Sequence, residues 1–108
     1  MTRPVAHADV FQAIADPTRR EILTLLRNQP EITASELAAP FGMTQSAVSQ
    51  HLKVLRHADL VTVIPQGRER RYRLNAHPLY AVAEWVNTYS TFWDEHLTAL
   101  GDLLENEP

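Results

Sequence analysis

The sequence predicts a mainly α-helical fold of about five helices with one two-stranded antiparallel β-hairpin. Apolar residues recur at helical spacing along most of the chain, and residues that start helices precede several of these stretches. One short segment instead alternates polar and apolar residues next to a glycine, as a strand does. The 108 residues suffice for one compact core but not for two, so we expect a single domain over residues 1–108.

The first two predicted helices meet at a strong helix-start signal. A first helix is expected from about Pro4 to Ala15. Asp16 is a favourable N-cap, and Pro17 occupies the next position, where its missing N–H costs nothing, so a second helix begins there. On this helix Arg19 and Arg20 fit phosphate contact and a solvated face equally well. The predicted core face consists of Ile22, Leu23, Leu25 and Leu26.

A third, short helix is predicted from a capping box. Thr33 is followed three residues later by Glu36, and this pair satisfies two backbone N–H groups reciprocally. We expect the helix to end at Ala39, because Pro40 disfavours helical geometry in the residue before it. Its predicted inward-facing residues are Leu37 and Ala38.

A fourth helix follows a glycine turn. Gly42 supplies the turn, and Thr44 then N-caps a helix that extends to about His57. Two short helices that flank such a turn are typical of a helix-turn-helix. Helical spacing puts Val48, Leu52 and Leu55 on the inner face of this helix and leaves Gln45, Ser46, Ser49, Gln50 and Lys53 on the outer face.

A basic β-hairpin is predicted next. The segment from Leu60 to Ile64 is apolar and β-branched, a turn containing Gly67 follows, and Arg71 to Leu74 alternates in polarity. Period-two alternation directs the apolar members of this last strand toward the core and its arginines toward solvent or phosphate. The hairpin makes the predicted fold a winged helix-turn-helix.

The C-terminal part predicts one long helix from about Pro78 to Leu104. A helix of about 27 residues spans roughly 40 Å, longer than so small a domain covers by itself. Its apolar residues are three or four positions apart, close to a coiled-coil seam, so their excess predicts a partner helix. The seam consists of Leu79, Val82, Val86, Tyr89, Trp93, Leu97, Leu100 and Leu104.

Charge is divided unevenly along the chain, although the formal net charge is only −3. Residues 44–75 hold six Lys or Arg and two acidic residues, whereas residues 76–108 hold six acidic residues and no Lys or Arg. We expect the basic block to meet phosphate and the acidic tail to point away from it.

The outer face of the fourth helix has the chemistry that reads bases. The major groove of B-DNA admits an α-helix, in which Gln pairs with adenine and Ser with several base edges. Arginines and lysines around this face are placed for phosphate or minor-groove contact. The candidate DNA-contacting residues are Thr44, Gln45, Ser46, Ser49, Gln50, Lys53, Arg56, Arg68, Arg70, Arg71 and Arg73.

Four motifs in fixed order carry a family resemblance. They are ADPTRREIL from Ala15 to Leu23, SAVSQHLKVL from Ser46 to Leu55, the pair Leu60-Val61, and GRERRYRL from Gly67 to Leu74. Across nearly the whole chain the sequence resembles the ArsR/SmtB family of bacterial winged-helix regulators, in the branch without metal-site cysteines. The resemblance implies a homodimer built from the first and last helices that represses transcription at an inverted repeat in double-stranded operator DNA. The expected dimer interface is Val10, Phe11, Ile14, Val82, Val86, Tyr89, Trp93, Leu97 and Leu100.

Two positions depart from the family pattern. Asp59 stands where the family commonly has glycine after the recognition helix, and we expect only a small local cost, since Asp tolerates left-handed geometry. The family's metal sensors use third-helix cysteines, absent here, or an Asp-x-His with a later His-x-x-Glu. Asp94 and His96 supply only half of that second set, which does not fill a tetrahedral zinc shell. No metal site or cofactor is therefore expected, and a metal-responsive repressor that recruits His7 stays an alternative.

Other function classes have weaker support in the sequence. It contains no Gly-rich phosphate loop, no cysteine and no close grouping of Ser, His and acid, which argues against an enzyme. A helix-turn-helix that contacts proteins stays an alternative, and the basic hairpin weighs against it. No apolar run reaches about 18 residues and no signal-peptide pattern is present, so we expect no membrane partner and a cytoplasmic location. The sequence does not identify an inducer, whether small molecule or protein.

Overall fold

The computed structural model describes residues 10–95, which form helical segments and a three-stranded antiparallel sheet. In chain order these elements are α1 (residues 10–13), α2 (Pro17–Asn28), β1 (Ile32–Thr33), α3 (Ala34–Phe41), α4 (Gln45–His57), β2 (Val61–Gln66), β3 (Glu69–Leu74), α5 (Leu79–Asn87) and α6 (residues 90–95). This mainly helical architecture with a hairpin wing confirms the predicted winged helix-turn-helix. Among these helices none is long and apolar enough to cross a bilayer.

Helices α2 and α4 begin at the residues that the sequence indicates. The Asp16 carboxylate accepts a hydrogen bond from the Arg19 backbone N–H at 3.0 Å, and the Thr44 hydroxyl accepts one from the Ala47 N–H at 3.0 Å. The bond from Arg19 is the main reason why the pKa of Asp16 lies below its ordinary value of 3.8, and the positive charges of Arg19 and His51 lower it further. Each cap satisfies a backbone donor that the first helical turn leaves unpaired.

Both halves of the predicted capping box are present at α3. The Thr33 hydroxyl accepts the Glu36 backbone N–H at 3.2 Å, and the Glu36 carboxylate accepts the Thr33 backbone N–H at 2.9 Å. The bonds from the Thr33 backbone and side chain lower the pKa of Glu36 from its ordinary 4.5, with a smaller contribution from the charge of Arg71. The ionised Glu36 carboxylate therefore stabilises the N-terminal end of α3.

The end of α3 differs from the prediction. The helix continues through Pro40 to Phe41 instead of ending at Ala39, and it closes on Gly42, which has a left-handed φ of 61°. The Gly42 N–H donates to the Ala39 carbonyl at 3.3 Å, so the last turn keeps a backbone bond despite the proline. Packing of the inner face of α3 against the core outweighs the local preference that proline imposes on Ala39.

The core lies where α2, α3 and α4 pack together and against the sheet. The predicted core faces of α2, α3 and α4 are buried, with Leu25 only partly so. Tyr72 from β3 is also buried and Leu74 partly buried, which confirms the predicted orientation of that strand. The largest side chains in this core with almost no exposed surface are Ile22, Leu26, Leu37, Leu52, Leu55, Leu60, Val10 and Val48.

The sheet contains a strand that the sequence analysis missed. The two residues of β1 pair antiparallel with β3, Ile32 opposite Tyr72 and Thr33 opposite Arg71, so the strand order is β1-β3-β2. A two-residue strand has no periodicity to detect, and the sequence already explains its second residue, Thr33, as a helix cap. This pairing joins the start of α3 to the base of the wing.

The predicted continuous C-terminal helix is interrupted. Helix α5 ends at Asn87, and α6 begins at residue 90 after a turn. The Thr88 hydroxyl donates to the Trp85 carbonyl at 2.7 Å, while the Tyr89 N–H reaches only back to Val86 at 3.0 Å. At this turn, bonds to the carbonyl three residues earlier replace the regular α-helical bonds to the carbonyl four residues earlier. The predicted helix beyond residue 95 and the first helix before residue 10 lie outside the described residues.

Substituting Glu36→Gln tests the acid dependence of this fold. Glutamine keeps an acceptor for the Thr33 N–H but removes the charge. Because the pKa of Glu36 is lowered in the folded chain, its carboxylate stabilises the fold above the ordinary value of 4.5, and this stabilisation is lost as the pH falls through the folded-state pKa. We expect the wild type to lose more unfolding free energy than the variant between pH about 7 and about 3, measured by urea denaturation. If the difference in unfolding free energy between the wild type and the variant stayed constant over this pH range, the Glu36 carboxylate would not stabilise the fold through its charge.

Candidate nucleic-acid interface

Helix α4 presents a polar outer face to solvent. Its inner face is buried, as described above, and this fixes the rotation of the helix. Thr44, at its N-cap, is also exposed. The predicted contact residues of this helix are all exposed, namely Gln45, Ser46, Ser49, Gln50, Lys53 and Arg56. The helix therefore offers amide and hydroxyl groups along its first two turns and cations farther along.

The tip of the wing is a tight turn with two unpaired cations. Gly67 has φ of 64°, in the left-handed region that two-residue hairpin turns require, and Arg68 completes the turn between β2 and β3. Arg68 and Arg70 are exposed, and neither forms a hydrogen bond or ion pair with another described residue. Both guanidinium groups are therefore available to an external anion.

The two other predicted wing arginines are already paired within the chain. The Arg71 Nη2 lies 3.1 Å from a Glu69 carboxylate oxygen, and the Arg73 Nη2 lies 2.6 Å from a Glu31 carboxylate oxygen. Glu31 precedes β1, so the second pair fastens the base of the wing to the loop after α2. The geometry thus separates tip cations, which are free, from base cations, which are partly neutralised.

Helix α4 and the wing enclose two adjoining concave surfaces. One, of about 330 Å³, is lined by Ser49, Lys53, Arg56 and Arg70 among others. The other, of about 360 Å³, is also lined by Ser49 and Arg70, together with residues of the wing tip and of the start of α4. The shared residues make one continuous surface. Its helix side carries hydrogen-bonding groups together with the cations of Lys53 and Arg56, and its wing side carries the guanidinium groups of Arg68 and Arg70 beside the Glu69 carboxylate. Phosphate oxygens are what such a cationic, hydrogen-bonding surface binds.

The candidate interface residues of the first and last helices differ in how far they are exposed. Val10 is fully buried in the core of the single chain, so it is not part of the accessible surface. Phe11, Ile14, Val82 and Val86 are partly buried. The exposed members are Tyr89 and Trp93, at 46% and 45% exposure, and Leu97 and Leu100 lie outside the described residues.

An aromatic face extends from α1 across α5 and the following turn to α6, and we define it as Phe11, Trp85, Tyr89 and Trp93. The Phe11 and Trp85 rings meet edge-to-face at 5.9 Å, and the Trp85 and Tyr89 rings at 5.5 Å. Trp85 is 54% exposed although it lies at the centre of these contacts. The sequence analysis left Trp85 out of the interface because it does not belong to the seam, yet its spacing of four from Tyr89 was a usable signal.

The described residues bring together no group of three or more His, Cys, Asp or Glu side chains able to hold a metal ion. Asp94 is exposed on α6, whereas His96 and His7 lie outside the described range. The metal-responsive alternative therefore gains no supporting geometry from residues 10–95.

The chain is similar to known bacterial regulators. Residues 16–63 match the model of the family described as bacterial regulatory protein, arsR family. The sequence is 39% identical over 97 residues to the HTH-type transcriptional regulator Rv2034 of Mycobacterium tuberculosis, covering 90% of this chain and 87% of that protein. It is 34% identical over 89 residues to the transcriptional repressor SdpR of Bacillus subtilis, covering 82% of this chain and 98% of that protein.

Solved structures show the same similarity. An ArsR-like transcriptional regulator from Rhodococcus sp. RHA1 aligns with a TM-score of 0.66 at 35% identity, covering 95% of this chain and 96% of that chain. A crystal structure of another ArsR family transcriptional regulator aligns with a TM-score of 0.73 at 33% identity, covering 86% of this chain and 95% of that one. The likeness therefore extends over most of both molecules.

Arg70→Ala and Arg73→Ala are a matched pair that tests the two kinds of wing cation. Each removes one positive charge from β3, but within residues 10–95 only Arg73 of the two forms an ion pair, with Glu31. For Arg70→Ala we expect the salt slope of DNA binding, taken as the magnitude of d log K/d log[salt], to fall by about 0.9 for each phosphate that the variant no longer binds. For Arg73→Ala we expect a smaller change, because Glu31 already holds that guanidinium. Fluorescence anisotropy with a duplex at several salt concentrations measures both, and equal slope changes would contradict the distinction.

Proposed function

Because the chain belongs to the ArsR family of bacterial transcriptional regulators, we propose that it represses transcription by occupying an inverted-repeat operator as a homodimer. Its relatives are named as regulators and repressors, and the chain is accordingly a DNA-binding regulator and not an enzyme. The observation that carries the proposal is the continuous surface of α4 and the wing, with base-reading groups beside free arginines. The bacterial chromosome is the target, so the proposed location is the cytoplasm.

In the proposed complex α4 enters the major groove. Gln45, Ser46, Ser49 and Gln50 lie on the exposed first two turns of α4, the part of a recognition helix that contacts base edges. Lys53 and Arg56 flank this set toward the phosphates, and Arg68 and Arg70 on the wing tip bind the adjacent backbone or minor groove. Arg73 then contributes mainly by fastening the wing to the loop after α2 through Glu31, whereas Arg71 is paired with Glu69 within β3.

The proposed dimer covers the aromatic face. Trp85, Tyr89 and Trp93 each expose about half of their surface, which is a large apolar area for a chain of this size to leave in water. A two-fold interface brings the same patch of each protomer together. Phe11, Ile14, Val82 and Val86 border this face and belong to the same proposed contact. Such a dimer presents two α4 helices to successive half-sites about one DNA turn apart.

Release from the operator requires a signal, which we propose to be a small molecule or a protein partner. Binding of that signal changes the occupancy of the operator only if the signal has different affinities for the free dimer and the DNA-bound dimer. Steric occupation of the promoter is the proposed mode of repression.

Gln50→Ala tests base recognition by α4. Loss of a bidentate amide contact should cost about 1–3 kcal/mol on the preferred sequence and relax the preference at one operator position. Selection of binding sites from a randomised duplex pool, followed by anisotropy on the selected site and single-base variants, measures both effects. Arg70→Ala is the control, and it should weaken all sequences similarly. If Gln50→Ala weakened every sequence equally, α4 would not be the reading element.

Trp85→Ala and Tyr80→Ala test the dimer with two aromatic truncations on one helix. Trp85 is at the centre of the aromatic face, whereas Tyr80 is 66% exposed and takes no part in its ring contacts. Removal of a central aromatic anchor costs on the order of 2 kcal/mol or more, so Trp85→Ala should raise the dimer dissociation constant at least about thirtyfold. Sedimentation velocity at several concentrations measures this. Equal effects of the two variants, or a wild-type chain that is monomeric at micromolar concentration, would contradict the proposed interface.

A further inference from the structure

Two arginines of α2 bind the C-terminal end of α1. The Arg19 Nε donates to the Ala13 carbonyl at 2.7 Å, and its Nη2 donates to the Gln12 carbonyl at 3.2 Å. The Arg20 Nη1 donates to the Ile14 carbonyl at 2.7 Å. Three successive carbonyls are thus bound by side chains that lie six or seven residues farther along the chain.

These contacts supply what the end of a helix lacks. The last carbonyls of a helix have no intrahelical donor, and their partial negative charge favours a cation beside them. A planar guanidinium with several fixed donors binds two carbonyls at once, which a lysine ammonium does less well. Arg19 and Arg20 therefore serve a role that neither sequence interpretation, phosphate contact or a solvated face, anticipated.

We call the contacts of Arg19 and Arg20 with the carbonyls of residues 12–14 the arginine joint. The elements on either side of this joint also contact the DNA-binding part of the chain. The Asp16 carboxylate caps α2 by accepting the Arg19 backbone N–H, and Ala13 of α1 is buried in the same core cluster as Val48 and Leu52 of α4. On its other side α1 is held by Val10 in the core and contributes Phe11 to the aromatic face. Helix α1 thus lies between the core and the surface that we assign to the dimer.

We infer that Arg19 and Arg20 are positioning residues for dimerisation, which fix α1, and with it Phe11, relative to α2 and α4. The inference rests on the proposed homodimer. It assigns these two cations to the dimer and not to DNA. When the joint is broken, α1 loses its docked geometry, the aromatic face loses its Phe11 edge, and the dimer weakens while the phosphate contacts stay intact.

Arg19→Ala and Arg27→Ala form the matched test. Both remove one positive charge from α2, but the only hydrogen bond of the Arg27 side chain to another described residue is to Asn28 at 3.4 Å on the surface. We expect Arg19→Ala to raise the dimer dissociation constant about ten- to hundredfold, the range expected when charge-assisted bonds are removed, and Arg27→Ala to change it less than about twofold. Arg19→Lys should restore part of the affinity, since it keeps one donor. Sedimentation velocity gives all four constants, including that of the wild type.

The salt dependence of DNA binding separates positioning from phosphate contact. At protein concentrations that keep each variant dimeric, Arg19→Ala should leave the salt slope unchanged, whereas removal of one phosphate contact from each protomer would lower it by about 1.8. Hydrogen–deuterium exchange should increase in the peptide containing residues 10–14 and stay constant in α4. If Arg19→Ala does not fold, Arg20→Ala is used, because it removes only the bond to Ile14 from an exposed side chain.

The outcomes are distinct for the two proposals. A wild-type dimer that binds DNA, combined with an Arg19→Ala dimer of unchanged affinity or a lowered salt slope, overturns the positioning role and leaves the proposed function standing. A wild-type chain that neither dimerises nor binds DNA overturns the proposed function itself. A weakened dimer with an unchanged salt slope supports the positioning role.

Discussion

Burial of one face of α4 sets the positions of the other functional parts of the molecule. Val48, Leu52 and Leu55 must leave water together, and at 3.6 residues per turn this fixes which side chains remain outside. The Thr44 cap fixes where the helix begins, and Gly42 lets the chain turn sharply from α3 into it. Core packing therefore determines which polar side chains of α4 are exposed.

The wing shows how neighbouring like charges acquire different roles. Four arginines lie within six residues, but Arg71 pairs with Glu69 within β3 and Arg73 pairs with Glu31 before β1, whereas Arg68 and Arg70 form no ion pair with another described residue. Ion pairs at the surface contribute little to stability, so their value here is geometric. Strand β1 adds backbone pairing to the same base, so the wing leaves the helical body at a defined angle and its free cations are held beside α4.

The elements that we assign to the dimer are connected to this body by polar contacts as well as by the burial of Val10 in the core. Arg19 and Arg20, in the first turn of α2, donate hydrogen bonds to the carbonyls at the end of α1. The Asp16 carboxylate caps α2 by accepting the backbone N–H of Arg19. On the outer side, the edge-to-face contact of Phe11 with Trp85 ties α1 to α5. The aromatic face is thus assembled from two distant parts of the chain, and its shape depends on how firmly the arginine joint holds α1.

Features that depend on local chemistry could be predicted from the sequence. Caps such as Asp16 and Thr33, the periodicity of α4 and the glycine turn of the wing all act within a few residues, so no distant contact was needed to locate them. Features that depend on distant contacts were settled only by the tertiary structure. The pairing of Arg73 with Glu31 spans 42 positions, and no local pattern indicates it. The continuation of α3 through Pro40 likewise depends on burial against the core. This burial outweighs the local preference of a residue before proline for non-helical geometry.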